Sequence, residues 1–489
     1  MYHPPSKRKQ LIQRTATYAL MSVSVVGLVV ILVFIMLGYQ FNKADGRIEQ
    51  GGLVQFDSTP SGGTVSIDGM SFGSRTPSKT TLTSGQHFIS MQRSGYRSWQ
   101  KSIDVVAGSV LWLNYTRFIP NDLKPAPVSN FSTLTSTSSS PNSKFMALKD
   151  TPDTADFKLA DVTGETVKVS TLTFPADSYT APAAGQTQKF TLGDWDDDSH
   201  YMLVSHTYDG TKQEWLVVDT TNVANTKNIT KLFGISPSKI VFSENNNQVL
   251  FALSGGEVRK LDIPSSTMSD ALLTNIAEVS SFDQKLAYVT LPDPTTQTRS
   301  VGYLSDGTAK PLALRTFNDD PTLPLHMTLS KYFGDTYISV VHGDKLDIVM
   351  GDLPRSDAAQ PPAFDTIASV TIPAGTQYLS TKTEGRFIVA QQGATYVVYD
   401  LELKKLTKTT LRGTTPVSAE LKWTDGYTLW TDQDARLRLY EFDGANQQDI
   451  MAVEPGFSAL ITPNNKYLYG ITKSEDGQYH LTRVKLITS

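Results

Sequence analysis

The sequence of 489 residues contains no cysteine. Disulfide bridges, thiolate metal sites and lipid attachment through a cysteine are therefore excluded, and stability must come from burial and backbone hydrogen bonds. In an exported protein of this length, the missing disulfides favour a prokaryotic source. Charged residues make up 19% of the chain and the net charge is −4. A mildly acidic chain does not suit nucleic acid, which rewards basic patches.

One long apolar run, from Thr17 to Tyr39, carries no charged residue. A helix over these residues reaches roughly 34 Å at about 1.5 Å per residue, enough for a hydrocarbon core of about 30 Å. The cations Lys7, Arg8, Lys9 and Arg14 precede the run, and no carboxylate appears before Asp45. Cationic flanks resist translocation, so this asymmetry predicts a cytoplasmic tail over residues 1–16, a transmembrane helix over 17–39 and an extracytoplasmic remainder.

Two other interpretations of the run are weighed. A cleaved secretory signal has a shorter apolar region and small residues at its cleavage site, whereas Gln40, Phe41, Asn42 and Lys43 follow here. A buried core helix is seldom apolar on every face over such a length. The sequence therefore favours an uncleaved, single-pass signal anchor in the cell membrane.

Residues 40–51 read as a short polar linker, and residues 52–119 change character. Val54 and Phe56 alternate with polar neighbours, and so do Val65 and Ile67. Alternation with period two between Gly and Pro signals predicts half-buried antiparallel strands, with a hairpin turn at Asp68 and Gly69.

Within this region the run Ser58-Thr59-Pro60-Ser61-Gly62-Gly63-Thr64-Val65, with Gly69, Gly73 and Thr76-Pro77 after it, resembles the PEGA domain. The later residues Leu82, Gly85-Gln86-His87, Gly95-Tyr96 and Trp99 fit the same pattern. The Pro-Glu-Gly-Ala motif itself stands here as Pro60-Ser61-Gly62-Gly63, which keeps the Pro and the first Gly. The resemblance implies a small β-sandwich over residues 52–119, found in surface and envelope proteins, with an adhesive or spacer function and no established catalytic role.

The same module contains Gly69-Met70-Ser71-Phe72-Gly73, which matches the nucleophile elbow G-x-S-x-G. That motif works at a strand-to-helix turn, where the helix N-terminus faces the oxyanion. No helical pattern follows Ser71, so the match is interpreted as a coincidence.

Residues 120–489 repeat a loose unit of two apolar strands separated by a polar turn. The spacing is about 40 to 50 residues, which for units made only of strands predicts a β-propeller. Eight units are counted, with seven as the alternative, and residues 121–130 are expected to supply the closing strand of the last blade. The leading strands begin at Phe145, Tyr201, Val249, Leu286, Tyr337, Phe387, Tyr427 and Tyr467.

Two features qualify this fold prediction. No Trp-Asp dipeptide closes the units, so the likeness is to propellers as a class and not to WD repeats. A pair of two-sheet sandwiches is the competing fold, because regular strand spacing also suits it. The predicted fold class is an all-β ectodomain, with a small sandwich and a seven- or eight-bladed propeller, on one N-terminal transmembrane helix.

Several motifs are weighed as sites and none is assigned. Asp194, Asp196 and Asp198 alternate like a Ca²⁺ loop but lack its Gly and Glu, and no helix aligns His200 with His206. Residues 474–479 match one Asp-box turn, and Asn130 and Asn228 occupy glycan acceptor patterns that are usually chance in a prokaryote. No catalytic residue, metal or cofactor is expected, and the ligand-binding residues stay unassigned.

Two functions follow from these observations. The first is a non-catalytic envelope protein that binds the lipid bilayer through residues 17–39. It displays a PEGA module and a propeller head to an envelope protein or a cell-wall or surface polymer. The alternative is a propeller-type hydrolase or lyase acting on an envelope polysaccharide, which requires acidic, His or Arg side chains in the central channel.

Overall fold

In the computed structural model, a helix α1 spans Lys7–Met36, and none of its side chains is buried. The structure describes residues 7–42, 46–244, 246–318, 320–359, 362–381, 385–413 and 420–487. Residues 1–6 of the predicted tail and 43–45 of the predicted linker lie outside them. The helix is long and apolar enough to cross a membrane. It ends before Tyr39 because Gly38 takes a left-handed φ of 77°.

The residues interpreted as a linker form a β-hairpin. Strand β1 (Tyr39–Asn42) pairs antiparallel with β2 (Arg47–Gln50). The amide of Gly51 donates to the Gly38 carbonyl at 2.9 Å, and Gln50 Nε2 donates to the Leu37 carbonyl at 2.9 Å. These bonds use carbonyl groups that the helix end leaves without intrahelical partners. The end of α1 is therefore held to the end of the hairpin by hydrogen bonds, which we call the bonded junction.

The small β-sandwich has two sheets. Their strand orders are β6-β3-β9 and β5-β4-β7-β8. The strands are β3 (Gly52–Thr59), β4 (Thr64–Ile67), β5 (Met70–Arg75), β6 (Ser78–Leu82), β7 (Gly85–Gln92), β8 (Trp99–Val105) and β9 (Val110–Arg117). The pairing of β3 with β9 is parallel, so the expectation of antiparallel strands throughout is wrong at this pair.

The sandwich encloses one core between its sheets. Phe56, Val65, Met91 and Trp99 are among its buried members. Gly63 is required by this packing, because a Cβ there would lie 2.6 Å from the ring of Phe118.

Residues 126–485 form eight four-stranded sheets, each of them a blade, and in blades 1 to 7 consecutive strands pair. Blades 1 to 4 follow this order; the short helix α2 (Ile229–Phe233) lies between blades 2 and 3, and a 3₁₀ turn at Val223–Asn225 lies within blade 2. Their strands are β11 (Ser136–Ser139), β12 (Phe145–Lys149), β13 (Asp156–Asp161), β14 (Lys168–Thr173), β15 (Gln188–Trp195), β16 (Tyr201–Tyr208), β17 (Lys212–Asp219), β18 (Lys227–Asn228), β19 (Lys239–Ser243), β20 (Asn246–Ser254), β21 (Glu257–Asp262), β22 (Thr267–Met268), β23 (Ile276–Phe282), β24 (Lys285–Thr290), β25 (Arg299–Ser305) and β26 (Leu312–Phe317).

Blades 5 to 7 repeat this order, with a 3₁₀ turn at Gln433–Ala435, and blade 8 differs. Its strand order is β10-β41-β40-β39, so it takes one strand from the start of the unit. The strands are β27 (Leu325–Tyr332), β28 (Asp335–His342), β29 (Lys345–Met350), β30 (Asp365–Thr371), β31 (Tyr378–Ser380), β32 (Phe387–Gln392), β33 (Thr395–Asp400), β34 (Lys405–Thr410), β35 (Lys422–Trp423), β36 (Thr428–Thr431), β37 (Arg436–Glu441), β38 (Gln448–Ala452), β39 (Leu460–Ile461), β40 (Tyr467–Lys473), β41 (Tyr479–Lys485) and, closing it, β10 (Ala126–Phe131).

The blades pack face to face into a closed ring. Buried clusters join blades 1 through 6 in order, and a further cluster joins blade 8 to blade 1. The rings of Phe387 and Phe442 stack at 3.8 Å between blades 6 and 7, and Gly470 of blade 8 packs on Met451 of blade 7. The propeller therefore has eight blades. The prediction of a propeller is confirmed, and the alternative pair of sandwiches is wrong.

We predict that ring closure depends on Phe131 of β10, which is 4% exposed in the cluster between blades 8 and 1. Phe131→Ala leaves a cavity there and should lower the free energy of unfolding by about 3 kcal/mol. Denaturant unfolding of the full chain, followed by tryptophan fluorescence, measures the change. Val169→Ala on β14 is the control, because Val169 is 38% exposed. Equal midpoints for the two variants would contradict a closing function for Phe131.

Candidate functional site

Each blade has an inner and an outer edge strand, which stand at the two ends of its pairing order. These inner strands are β11, β15, β19, β23, β27, β31, β35 and β39. Hydrogen bonds join neighbours directly: Ser138 Oγ donates to the Gly193 carbonyl at 2.7 Å, and the Ser458 amide donates to Thr137 Oγ1 at 2.6 Å. The inner strands therefore surround the axis of the ring, and side chains that leave this wall enter a central channel.

A charged cluster occupies the channel. Burial raises the pKa of Glu420, although a hydrogen bond from Ser380 and the positive charges of Lys422 and Lys239 act in the opposite direction. Lys239 begins β19 in blade 3, whereas Glu420 precedes β35 in blade 7. Blades 3 and 7 are opposite each other in a ring of eight. An electrostatic effect of Lys239 on Glu420 from the opposite side of the ring acts across the channel, so we assign both residues to the channel wall.

The charged cluster continues into blades 4 and 5. Lys239 Nζ donates to the Val279 carbonyl at 3.1 Å and shares a small cavity of about 80 Å³ with Glu278. His326 Nδ1 lies 3.1 Å from Glu278 Oε1. We call Lys239, Glu278, His326, Glu420 and Lys422 the channel cluster.

Beside this cluster lies a larger cavity of about 310 Å³, walled by the inner strands of blades 2 to 4. Asp194, Asp197 and Glu244 line it. Burial raises the pKa of Glu244, and the negative charges of Asp197 and Asp283 add to that effect. Among the residues that the structure describes, no group of three or more His, Asp and Glu side chains is placed to hold a metal ion.

A second region is built on the turns of blades 5 and 6. The guanidinium of Arg386, 6% exposed, forms two bonds to Asp400, at 2.9 Å from Nε and 2.6 Å from the terminal nitrogen, and also contacts Glu402. Bidentate pairing of this kind holds both partners in one geometry. Tyr332 Oη donates to Glu402 Oε2 at 2.7 Å, so the same network fixes the Tyr332 ring.

Two apolar side chains that follow members of this network in the chain are exposed to solvent. Phe333 follows Tyr332 with a φ of 50°, its ring lies 4.5 Å from that of Tyr332, and it is 86% exposed. Leu403 follows Glu402 and is 46% exposed. A non-glycine residue with a positive φ is strained, so contacts within the surrounding turn must hold Phe333 in this conformation. We call Tyr332, Phe333 and Leu403 the aromatic patch.

The structure places Ser71 on β5, where its Oγ accepts from the Gly73 amide at 3.3 Å. Strand β6 follows β5, so the strand-to-helix geometry of a nucleophile elbow is not formed here. Asp196, 2% exposed, accepts from the amides of His200 and Tyr201 at 2.7 Å, which makes it the organiser of a turn.

The two histidines of blade 2 are not brought together. His200 Nε2 bonds Asp219 Oδ1 at 3.0 Å, whereas His206 is fully buried, with Nδ1 2.8 Å from Glu214 Oε1. Thr180 donates to both oxygens of Glu214, from its amide at 2.6 Å and its hydroxyl at 2.8 Å. The ring of Phe190 stacks on His206 at 4.1 Å. This is a structural pair inside the blade.

The remaining sequence candidates lie in turns and on strands. Asn130 on β10 bonds His480 at 2.8 Å. Asn228 is 7% exposed and caps α2 by accepting from the Lys231 amide at 2.9 Å. Ser474 closes the β40–β41 hairpin by donating its amide to the Gln478 carbonyl at 2.9 Å. None of these residues lies in the channel cluster or the aromatic patch.

Comparison with known protein families matches residues 52–117 to the PEGA domain. Residues 52–117 form a PEGA domain. The match covers β3 to β9, the two-sheet sandwich described above. The resemblance inferred from the Pro60 turn and the glycine spacing is therefore confirmed.

No curated protein matches the chain. Solved structures similar to it include dihydro-haem d1 dehydrogenase NirN in complex with DHE, at 10% identity and a TM-score of 0.43, covering 66% of this chain and 68% of that one. The tricorn protease has 10% identity and a TM-score of 0.40, covering 74% and 38%. A eukaryotic initiation factor has 13% identity and a TM-score of 0.39, covering 68% and 93%. Likenesses this distant carry no argument about function.

We predict that Glu214 makes the propeller sensitive to acid. Burial alone would raise the pKa of Glu214, but hydrogen bonds from His206 and Thr180 outweigh it and lower the pKa from 4.5 to about 2. The unfolded chain therefore takes up this proton first. The stabilisation is complete above pH 4.5 and is lost as the pH falls towards 2.

The variant Glu214→Gln cannot carry the charge, so it should be less stable at pH 7 by about 3 kcal/mol and lose less on acidification. Denaturant midpoints at pH 7, 4 and 3 measure both effects. Glu257→Gln is the control, because the side chain of Glu257 is 45% exposed. Parallel pH profiles for wild type and Glu214→Gln would show that this carboxylate is not the source of the acid sensitivity.

Proposed function

We propose that this chain is a membrane-anchored, non-catalytic binding protein of the cell envelope, which displays a PEGA domain and a propeller head outside the membrane. Helix α1 inserts in the bilayer with its basic end in the cytoplasm, since Lys7, Arg8, Lys9 and Arg14 resist translocation. The head presents a rigid surface to an envelope protein or a surface polymer.

The aromatic patch is the observation that carries this proposal. Exposed single apolar residues are ordinary on protein surfaces, but Phe333 and Leu403 project from adjacent turns that the buried Arg386 network holds together. Aromatic anchors held rigidly lose little conformational entropy when a partner covers them. The patch therefore suits the centre of a recognition surface.

We predict that changing the patch abolishes partner binding. Phe333→Ser with Leu403→Ser leaves the Arg386 network intact and should remove proteins or wall polymer that co-purify with the full chain from its native membrane. Met268→Ser, at a residue 39% exposed on β22, is the matched control. Co-purification followed by mass spectrometry and by sugar analysis separates the two kinds of partner. A patch variant that retains every partner of the wild type would contradict the assignment.

The channel cluster favours a second function, a hydrolase or lyase acting on an envelope polysaccharide. Glu420 has a pKa raised by burial, and a carboxyl of that kind suits proton donation to a leaving group. Lysines 239 and 422 add positive charge where an acidic polysaccharide would lie.

If the channel is catalytic, purified full-length protein should release soluble fragments from cell-wall polysaccharide, and Glu420→Gln should reduce that rate by about 100-fold or more. Glu257→Gln, far from the channel on β21, should leave the rate unchanged. An absence of fragments with the wild-type protein, or an unchanged rate in Glu420→Gln, would sink this second function.

A further inference from the structure

Three large apolar side chains of the PEGA domain and its hairpin are exposed near one end, and Met70, Phe88 and Trp112 are exposed farther along β5, β7 and β9. Ile48 is 65% exposed, Val106 is 62% exposed and Val110 is 43% exposed. Strand pairing puts Val106 and Val110 at the end where β3 begins, because Leu53 pairs with Val110, Gly52 pairs with Leu82, and Val105 pairs with Gly85. Ile48 lies on β2, which precedes β3 directly. This is the end at which the chain arrives from α1.

The opposite end of the domain is polar. Ser61, Ser94 and Ser98 are exposed in the loops there. Strand β8 separates the two ends, since Ser94 precedes Trp99 and Val106 follows Val105. At about 3.3 Å per residue, its seven residues span roughly 20 Å. The two ends of this small domain thus differ: exposed serines lie at one, and exposed Val106 and Val110 lie at the other.

The apolar end is bonded to the end of α1. Gly51 donates to Gly38 at 2.9 Å, and the Gly108 amide donates to the Gly51 carbonyl at 2.9 Å. Gln50 lies between them, bonded to Leu37, and a Cβ on Gly108 would come within 2.9 Å of Gln50 Nε2. The loop that carries Val106 is therefore two hydrogen bonds away from the point where the helix ends.

Aromatic packing supports the same position. The ring of Tyr39 turns back onto Phe34 of α1, with centroids 4.9 Å apart. Tyrosine at the end of an apolar helix favours the boundary between hydrocarbon and water. Ile48 belongs to the hairpin that begins at Tyr39, so this hairpin starts at the same boundary.

We propose that Ile48, Val106 and Val110 form a membrane collar, by which the PEGA domain rests in the headgroup layer of the bilayer that α1 crosses. The occupant of this surface is lipid, because the bonded junction at Gly38 keeps the collar beside the helix end and gives the domain no free tether. The inference rests on the proposed anchoring of α1 and adds a second membrane contact, made by a folded domain.

The lack of cysteine makes the test direct, since each introduced cysteine is the sole label site. Full-length Val106→Cys and Ile48→Cys, each carrying a nitroxide, are reconstituted in vesicles of phosphatidylethanolamine and phosphatidylglycerol. Ser94→Cys is the matched control at the polar end. Power saturation with oxygen, which concentrates in lipid, and with a water-soluble nickel chelate reports the depth of each label.

The labels at positions 48 and 106 should show a ratio of oxygen to nickel accessibility several-fold above that of the label at 94. Val106→Asp with Val110→Asp should bring the label at 48 to the ratio found at 94. Equal ratios at 48, 106 and 94 in vesicle-bound protein would overturn the collar and leave the anchor standing. Failure of the full chain to float with the vesicles, or its release at alkaline pH, would overturn both.

Discussion

Pairing between β10 and β41 is the contact on which the large ring depends. Each blade has two apolar faces and buries them only against neighbours, so an open row of blades would leave two faces in water. The bond between Asn130 and His480 joins residues 350 positions apart. Closure at this point brings Phe131 and Leu134 against Tyr469 and Leu481. One antiparallel pair thus converts a row of eight sheets into a unit without exposed ends.

Closure also determines where polar chemistry is possible. The middle strands of the blades are buried on both faces, as in β36, where all four residues are buried. Charge on the middle strands is therefore buried and partnered, as Glu214 is on β17, whereas solvent-accessible charge lies in the channel, the turns and the outer strands. The channel cluster lies in the channel, and the aromatic patch lies on turns. The two candidate regions are independent, since the Arg386 network shares no residue with the channel cluster.

Much of the fold was predictable from sequence. The eight leading strands stand out as apolar runs such as Tyr201–Val204, because strands buried on both faces lose their polar alternation. Inner and outer strands were not predictable: Lys422–Trp423 is two residues long and Lys168–Thr173 is largely exposed, so neither carries a hydrophobic pattern. The hairpin β1–β2 was read as a linker for the same reason.

The sites were less accessible to sequence reasoning. Lys239 and Glu420 are far apart in the chain, and only the ring geometry directs the inner strands of blades 3 and 7 towards one channel. Arg386, Asp400 and Glu402 lie closer in sequence, and an arginine fourteen residues before an aspartate at a strand end is a weak local signal. By contrast, the Pro60 turn and the glycine spacing of the PEGA domain are local requirements of backbone geometry, which is why sequence alone was enough there.

The strand exchange in blade 8 has a consequence for biogenesis. Until β39 to β41 have been synthesised, β10 has no partner, and blade 1 keeps an apolar face in water. An unpaired strand edge of this kind invites pairing with other chains and recognition by chaperones and proteases. Every interrupted chain therefore keeps the first strand of its propeller unpaired, which distinguishes it from a finished chain.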